Sequence, residues 1–283
     1  MRLLYWQWRA EMWKMLARKR TYLGFGAFVL LELILYLTIT QSQGGVGLFK
    51  NIIQHGGESF QSYFSAMTVA VFVISLSMFF LGSIYLTLVG GDVVAKESED
   101  GNLRLILARP ISRLRLLALK FVCCIFYSIL LVQFVCWTTL LLGTMIRGWG
   151  GGLCVMTPEM HLPAFFDPDV GLQRFALASV LLSFTMTTAT SVAFFLSCLR
   201  IKPAAATISA LTYLLGDFIV KQGNFVTENK HLLLTTHMSS WHLVYSDTIP
   251  WVTIIRHFAV LAGVSLTLFV LGALVFESRD VKS

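Results

Sequence analysis

Charge is scarce in this sequence. Of its 283 residues 13% are Asp, Glu, Lys or Arg and 56% are hydrophobic, against about 25% charged in an ordinary globular domain. Most of the chain therefore has lipid rather than water as its solvent, which sets aside the two soluble domains that its length would otherwise suggest. Other absences narrow the function. No Gly-x-x-x-x-Gly-Lys-Ser/Thr string occurs, so no loop is available to cradle nucleotide phosphates on backbone amides. If ATP powers this chain, another polypeptide holds it. Ser-x-x-Lys, Gly-x-Ser-x-Gly and His-Glu-x-x-His are missing too, which leaves a membrane-embedded enzyme without a nameable catalytic set.

Cysteine adds little. Cys123, Cys124 and Cys136 fall inside one apolar run and Cys198 ends another, so Cys154 is expected to be the one thiol outside the membrane, with no intrachain partner. The adjacent Cys123 and Cys124 read as small-residue helix packing. The histidines His231, His237, His242 and His257, with Cys154, Met156, Met160 and His161 in the preceding loop, lack the tight i, i+3 or i, i+4 pairing of a helical metal site. No metal or bound cofactor is expected on this chain. The net charge of +7 sits beside apolar runs, where anionic lipid headgroups rather than nucleic acid account for it.

What is present is apolar length. Six runs, roughly 21–40, 63–90, 114–146, 174–199, 204–221 and 257–277, reach or approach the ~20 residues that cross a bilayer. Their backbone groups must be satisfied within each segment, so helices are expected, and continuous apolarity excludes the alternation of a barrel. With both ends inside, the inner segments hold 16 Lys and Arg and the longer outer loops 6. That asymmetry is the positive-inside pattern, and it places both termini in the cytoplasm of a multi-pass protein in the cell (inner) membrane.

Residues 1–20 interleave six basic residues with Trp6, Trp8 and Trp13. Gln7, Glu11, Lys14 and Arg18 form one stripe with Tyr5, Met12 and Leu16 opposite, the pattern of a helix lying in the headgroup layer. Charges at Arg9, Glu11, Lys14 and Arg18 to Arg20 interrupt any signal-peptide core, so the first span is expected to be an uncleaved anchor. The outer loops 41–62 and 147–173 are Gly-rich and read as irregular connections. Residues 222–256 differ: Leu232 to Leu234, Trp241, Leu243, Val244 and Trp251 suggest short helices dipping back into the outer leaflet between spans five and six. Two acids sit at membrane depth, Glu32 and Asp217, and each is a functional candidate by default. Glu32 is either part of a transport pathway or a neutral, hydrogen-bonded acid at a helix contact. Asp217 is either in that pathway or interfacial.

The most specific stretch is the charged island from Asp92 to Lys120, with six Lys or Arg and four carboxylates. It is too charged for hydrocarbon, and its basic content puts it on the inner face. Lys96, Glu97, Glu99 and Asp100 crowd the expected start of a short helix, where carboxylates suit the positive end of the dipole. Leu103, Ile106 and Leu107 lie on one face of that helix, Pro110 ends it, and Ser112 is a candidate N-cap for the next span.

This order resembles the cytoplasmic loop of type-2 ABC exporter permeases: an acidic pair (Glu97, Glu99), Gly-Thr (here Gly101-Asn102), a leucine-rich short helix, Pro-x-Ser-Arg (Pro110, Ser112, Arg113) and a Gly-Lys (here Leu119-Lys120). The ending Phe276-Glu277-Ser278-Arg279-Asp280 is similar to the Phe-x-x-Arg-Asp close of these proteins. The resemblance implies an all-α integral membrane permease, one transmembrane domain over residues 1–283, with a coupling loop at 91–115. Glu97, Glu99, Asp100, Gly101, Arg104, Arg109, Pro110, Ser112 and Arg113 would meet a cytoplasmic ATPase subunit that holds ATP and Mg. It further implies a second permease copy, an N-terminal helix that shares the ATPase contact, and re-entrant helices before the last span. A membrane scaffold using the same basic loop for partner or lipid binding is the alternative.

Overall fold

The computed structural model describes residues 2–101, 112–156, 163–223 and 230–278. Among these are six helices long and apolar enough to cross a membrane: Lys19–Gln41, Ala66–Glu99, Arg113–Arg147, Pro168–Cys198, Pro203–Gln222 and Trp251–Glu277, here spans one to six. An all-α membrane architecture follows, as the apolar runs predict. Span four is the axis of the bundle, with 72% of its apolar window buried against 17% for span six. Its interior is unusually hydroxylated, with Thr185, Thr188, Thr190 and Ser191 all buried. Small polar side chains let neighbouring helices approach and bond across the gap. Ser128 and Thr190 hydroxyls lie 2.6 Å apart between spans three and four, and Gln133 Nε2 donates to Ser183 Oγ at 2.9 Å.

Span two differs most from its expected limits. It continues beyond residue 90 to Glu99, because Gly90 and Gly91 allow backbone contact with two neighbours. A Cβ on Gly90 would lie 2.6 Å from the Thr190 carbonyl oxygen of span four, and one on Gly91 would lie 2.6 Å from Thr207 Oγ1 of span five. A one-turn π segment, Met78–Gly82, divides this span into Ala66–Ser77 and Ser83–Glu99. Such bulges break the hydrogen-bond ladder locally and recur at functional sites.

At the end remote from the charged island, the expectation of irregular loops is not met. Residues Gln43–His55 form a helix whose Phe49 and Ile53 are buried in a cluster with Tyr36, Ile39, Phe64, Val69, Val73 and Cys154. Its apolar residues Val46, Phe49, Ile52 and Ile53 recur at helical spacing, a signal obscured by Gly44, Gly45 and Gly47 in its first turns. Strands Leu153–Val155 (β1) and Ala164–Phe166 (β2) pair as an antiparallel hairpin. Cys154 is therefore buried in a strand, 4% exposed, rather than an exposed loop thiol. Between spans five and six lie the short helices Lys230–Leu232, Leu234–Met238 and Ser239–Tyr245. Arg174 of span four holds them in place: it donates to the carbonyls of Val244, Ser246 and Asp247 and lies over the Phe166 ring.

Replacing Gly90 with Val forces a branched side chain into the contact between spans two and four. Overpacking of this kind costs about 1–3 kcal/mol. Gly90→Val should lower the midpoint of thermal unfolding in detergent, whereas Gly26→Val, which meets nothing within 4 Å, should leave it nearly unchanged.

Candidate functional site

The site begins with one buried cation. Span three opens at Arg113, with Ser112 at the N-cap position in extended backbone but making no side-chain capping bond. Two turns later the helix carries Lys120 into the bundle, where it is 2% exposed. An ammonium there is tolerable only if paired. Lys120 Nζ donates to Glu97 Oε1 at 2.7 Å and to Glu11 Oε2 at 3.0 Å. Glu11 takes a second contact from Lys14 at 2.7 Å. The four groups alternate in sign and sum to zero charge, so no member is left uncompensated in the low-dielectric interior. Burial pushes the Glu11 carboxyl up, but Lys120 and Lys14 outweigh this and hold it below the usual carboxylate range.

This cluster joins three elements: the N-terminal helix Arg2–Leu16 through Glu11, the foot of span two through Glu97, and span three through Lys120. Further contacts extend it. Arg20 at the head of span one pairs with Asp92 of span two, and Arg113 Nη1 donates to the Glu277 carbonyl at the end of span six at 3.2 Å.

The acidic residues do not open a helix, as their sequence suggests, but close one. Glu97 and Glu99 are in the last turn of span two and Asp100 is its C-cap, at the negative end of the dipole, where carboxylates are unfavourable. Lys120 offsets this for buried Glu97, while Glu99 and Asp100 are exposed to solvent. Gly101 has φ of +73° and donates its amide to the Ser98 carbonyl at 3.3 Å. It is thus the left-handed glycine that ends the helix. Arg104, Arg109 and Pro110, like Leu103, Ile106 and Leu107, lie outside the described residues.

The N-terminal helix also corrects its expected orientation. Glu11 turns toward Lys120 instead of toward headgroups, and Met12 and Met15 are buried beside it. Trp8 packs edge-on against Phe126 of span three. Tyr5, Trp6 and Trp13 form the exposed side, with Arg9 over the Trp6 ring. The demand of a buried ammonium for a counter-charge overrides the simple polar stripe.

The two acids at membrane depth lie apart from this site. Glu32 is fully buried, accepts from Thr138 Oγ1 of span three at 2.9 Å, and leaves Oε1 without a hydrogen-bond partner among the described residues. Asp217 accepts the Thr235 amide at 2.7 Å, fastening the start of the Leu234–Met238 helix to span five. Among the described residues no group of three or more metal-ligating side chains occurs.

The charged cluster thus ties three helices together at one end of a bundle with six candidate membrane spans. The sequence profile described as "ABC-2 family transporter protein" matches residues 8–216. The chain belongs to this family. It is thus a permease component of an ABC transporter, not itself an ATPase, and its family implies a partner ATPase subunit. The match stops at residue 216, before Asp217, the short helices at 230–245 and span six. No curated protein matches the chain at a significant level.

In this permease, Glu97 and Lys120 are recognisable from the loop pattern, but their mutual contact is not. Glu11, Asp92 and Arg20 are missed as site residues. The available signal was the presence of isolated acids, Glu11 and Asp92, beside basic residues at a membrane boundary, where an unpaired carboxylate would be expensive.

Removing one member of a buried ion cluster costs about 3–5 kcal/mol. Lys120→Met should therefore lower the thermal midpoint of the detergent-solubilised protein sharply, and adding Glu11→Gln and Glu97→Gln should recover most of the loss. Because the Glu11 carboxyl is held low in the fold, its stabilising contribution is present above the ordinary carboxylate range and is lost as pH falls through its lowered value. Acid melts of the wild type should accordingly fall more steeply with pH than those of Glu11→Gln.

Proposed function

We propose that this chain is the permease half of an ATP-driven exporter, working as a homodimer or with a similar permease on two cytoplasmic ATPase subunits. The observation that carries this reading is the neutral chain Lys14–Glu11–Lys120–Glu97, which fastens the foot of span two to span three and to the N-terminal helix. Force applied to the loop at 91–115 would then reach these elements together. Exposed Glu99 and Asp100 and partly exposed Arg113 flank the segment with Arg104, Arg109 and Pro110 that would meet the ATPase, with Gly101 and Ser112 setting the helix limits on either side. ATP and Mg belong to the partner. Family membership favours this reading over a membrane scaffold.

The moving part is the half of span two below the π segment. Gly90 and Gly91 seat it against spans four and five at backbone distance, so its displacement would be passed to those helices. Packed interfaces of this type are bistable rather than continuously deformable. The exposed Tyr5, Trp6 and Trp13 of the N-terminal helix support a place in the headgroup layer. The short helices at 230–245 fit re-entrant elements at the outer end. For Glu32, full burial with a bond across spans one and three supports a helix contact over an open transport route. For Asp217, capping the 234–238 helix supports an anchoring role. Spans without clusters of like charge favour an apolar or amphipathic cargo.

Two measurements test this reading. The five cysteines of the chain are all buried, so introduced thiols can be labelled against a low background. In intact cells, Ser98→Cys should be protected from an impermeant maleimide and Thr248→Cys should react. The reverse would overturn the topology and the ATPase contact with it. In the assembled transporter, Glu99→Arg or Arg113→Glu should lower transport at least about tenfold, equivalent to roughly 1.4 kcal/mol of coupling, while insertion and ATPase activity persist. Wild-type transport by both variants would remove the loop from the mechanism.

A further inference from the structure

At the end opposite the charged cluster, two imidazoles face each other. His237 is on the Leu234–Met238 helix and His257 is in the second turn of span six. Their Nδ1 atoms are 2.7 Å apart, and His237 Nε2 lies 2.8 Å from the His231 carbonyl oxygen. The carbonyl can only accept, so His237 carries its proton on Nε2 and donates there. Neutral His237 then offers a lone pair at Nδ1, and the proton between the rings belongs to His257 Nδ1.

We propose that this contact is a proton-sensitive latch fastening the 230–245 segment to span six. The pair tolerates one extra proton: placed on His257 Nε2, away from the contact, it turns the bond into a charge-assisted one. A second extra proton must occupy His237 Nδ1. Two N–H groups then point at each other, and the latch opens. Imidazoles in general titrate between about pH 5 and 8. Because the closed pair disfavours the second proton, the stability it contributes is present at neutral pH and lost as pH falls.

The surrounding charges act in the same direction. From span five, Lys221 Nζ donates to Ser239 Oγ at 2.6 Å, while Asp217 is committed to the Thr235 amide. Arg256 adjoins His257 on span six, and His231 lies on the segment itself. A doubly charged pair would join two cations with one carboxylate near. His242 is not the sensor: burial and Lys221 hold its imidazole down at about 4. Opening would free the middle of the segment only, because Asp217 still holds the Thr235 amide at its start and Arg174 still holds the carbonyls of Val244, Ser246 and Asp247 at its end. On the topology proposed above, the pH sensed is that outside the cell, although the latch itself rests on the histidine geometry alone.

Hydrogen–deuterium exchange on the full chain in nanodiscs tests this directly. After correction for the chemical exchange rate, amide protection over residues 234–245 should fall about tenfold from pH 7.5 to pH 5, the loss of roughly one net hydrogen bond. His257→Gln can donate to neutral His237 or accept from its protonated form, so it should keep the protection of the neutral state and lose the pH response. His237→Gln should lose the pH response as well. Protection that is equal at both pH values in the wild type, or a pH-dependent fall that survives in both variants, would overturn the latch.

Discussion

A lysine ammonium buried in a membrane protein must be matched or expelled, and the fold at the charged end follows from that demand. Lys120 is carried inward by a helix that is otherwise apolar on that side, flanked by buried Leu116, Leu117, Cys123 and Cys124. Nothing in its own span can neutralise it. The two carboxylates that do so come from a different span and from the N-terminal helix, so the pairing fixes the relative position of three elements that share no continuous backbone. Desolvation makes such a cluster a poor source of net stability and a good source of specificity. Its value lies in allowing one arrangement and penalising others.

The opposite end solves a similar problem by other means. There the connections are long, and their backbone groups need partners. A helix, a two-stranded hairpin and three short helical turns satisfy most of them, and individual side chains bond them to the spans. Asp217 caps one helix, Arg174 collects the carbonyls at the end of another, and Arg147 lies over the Phe64 ring at 4.0 Å. Each bond reaches from a span into a connection. The described parts of these connections are therefore packed onto the bundle, and Cys154 is buried among them for the same reason.

What the sequence discloses and what it withholds divide along a physical line. The six spans are legible because lipid requires long apolar helices, and that requirement is local to each run. The limits of span two are not legible, because Gly90 and Gly91 end an apolar run in sequence while serving as contact points in space. The dipole rule points the wrong way for Glu97 and Glu99: it treats them as a local feature, whereas Lys120, distant in sequence, decides their position. The histidine pair is hidden for the same cause, since the spacing between His237 and His257 has no helical meaning and only the packing of a short helix on span six brings them together. The loop pattern that carries the family resemblance contains Glu97 and Lys120 but not their contact. It says nothing of Glu11, which lies outside the loop.

These placements bear on how the proposed lever would work. A rigid loop alone transmits nothing if the helix feeding it can bend freely, and span two contains a point where its ladder is already broken, at Met78–Gly82. Above that point the helix packs in the cluster of Tyr36, Phe49 and Ile53. Below it, the helix is held by glycine contacts to spans four and five and by the ion cluster at its foot. A push at Glu99 therefore meets a segment gripped along its length and relieved at one turn. On the proposed mechanism the motion is a pivot of Ser83–Glu99 about the π segment, passed through Gly90 and Gly91 to the turns of spans four and five that they touch.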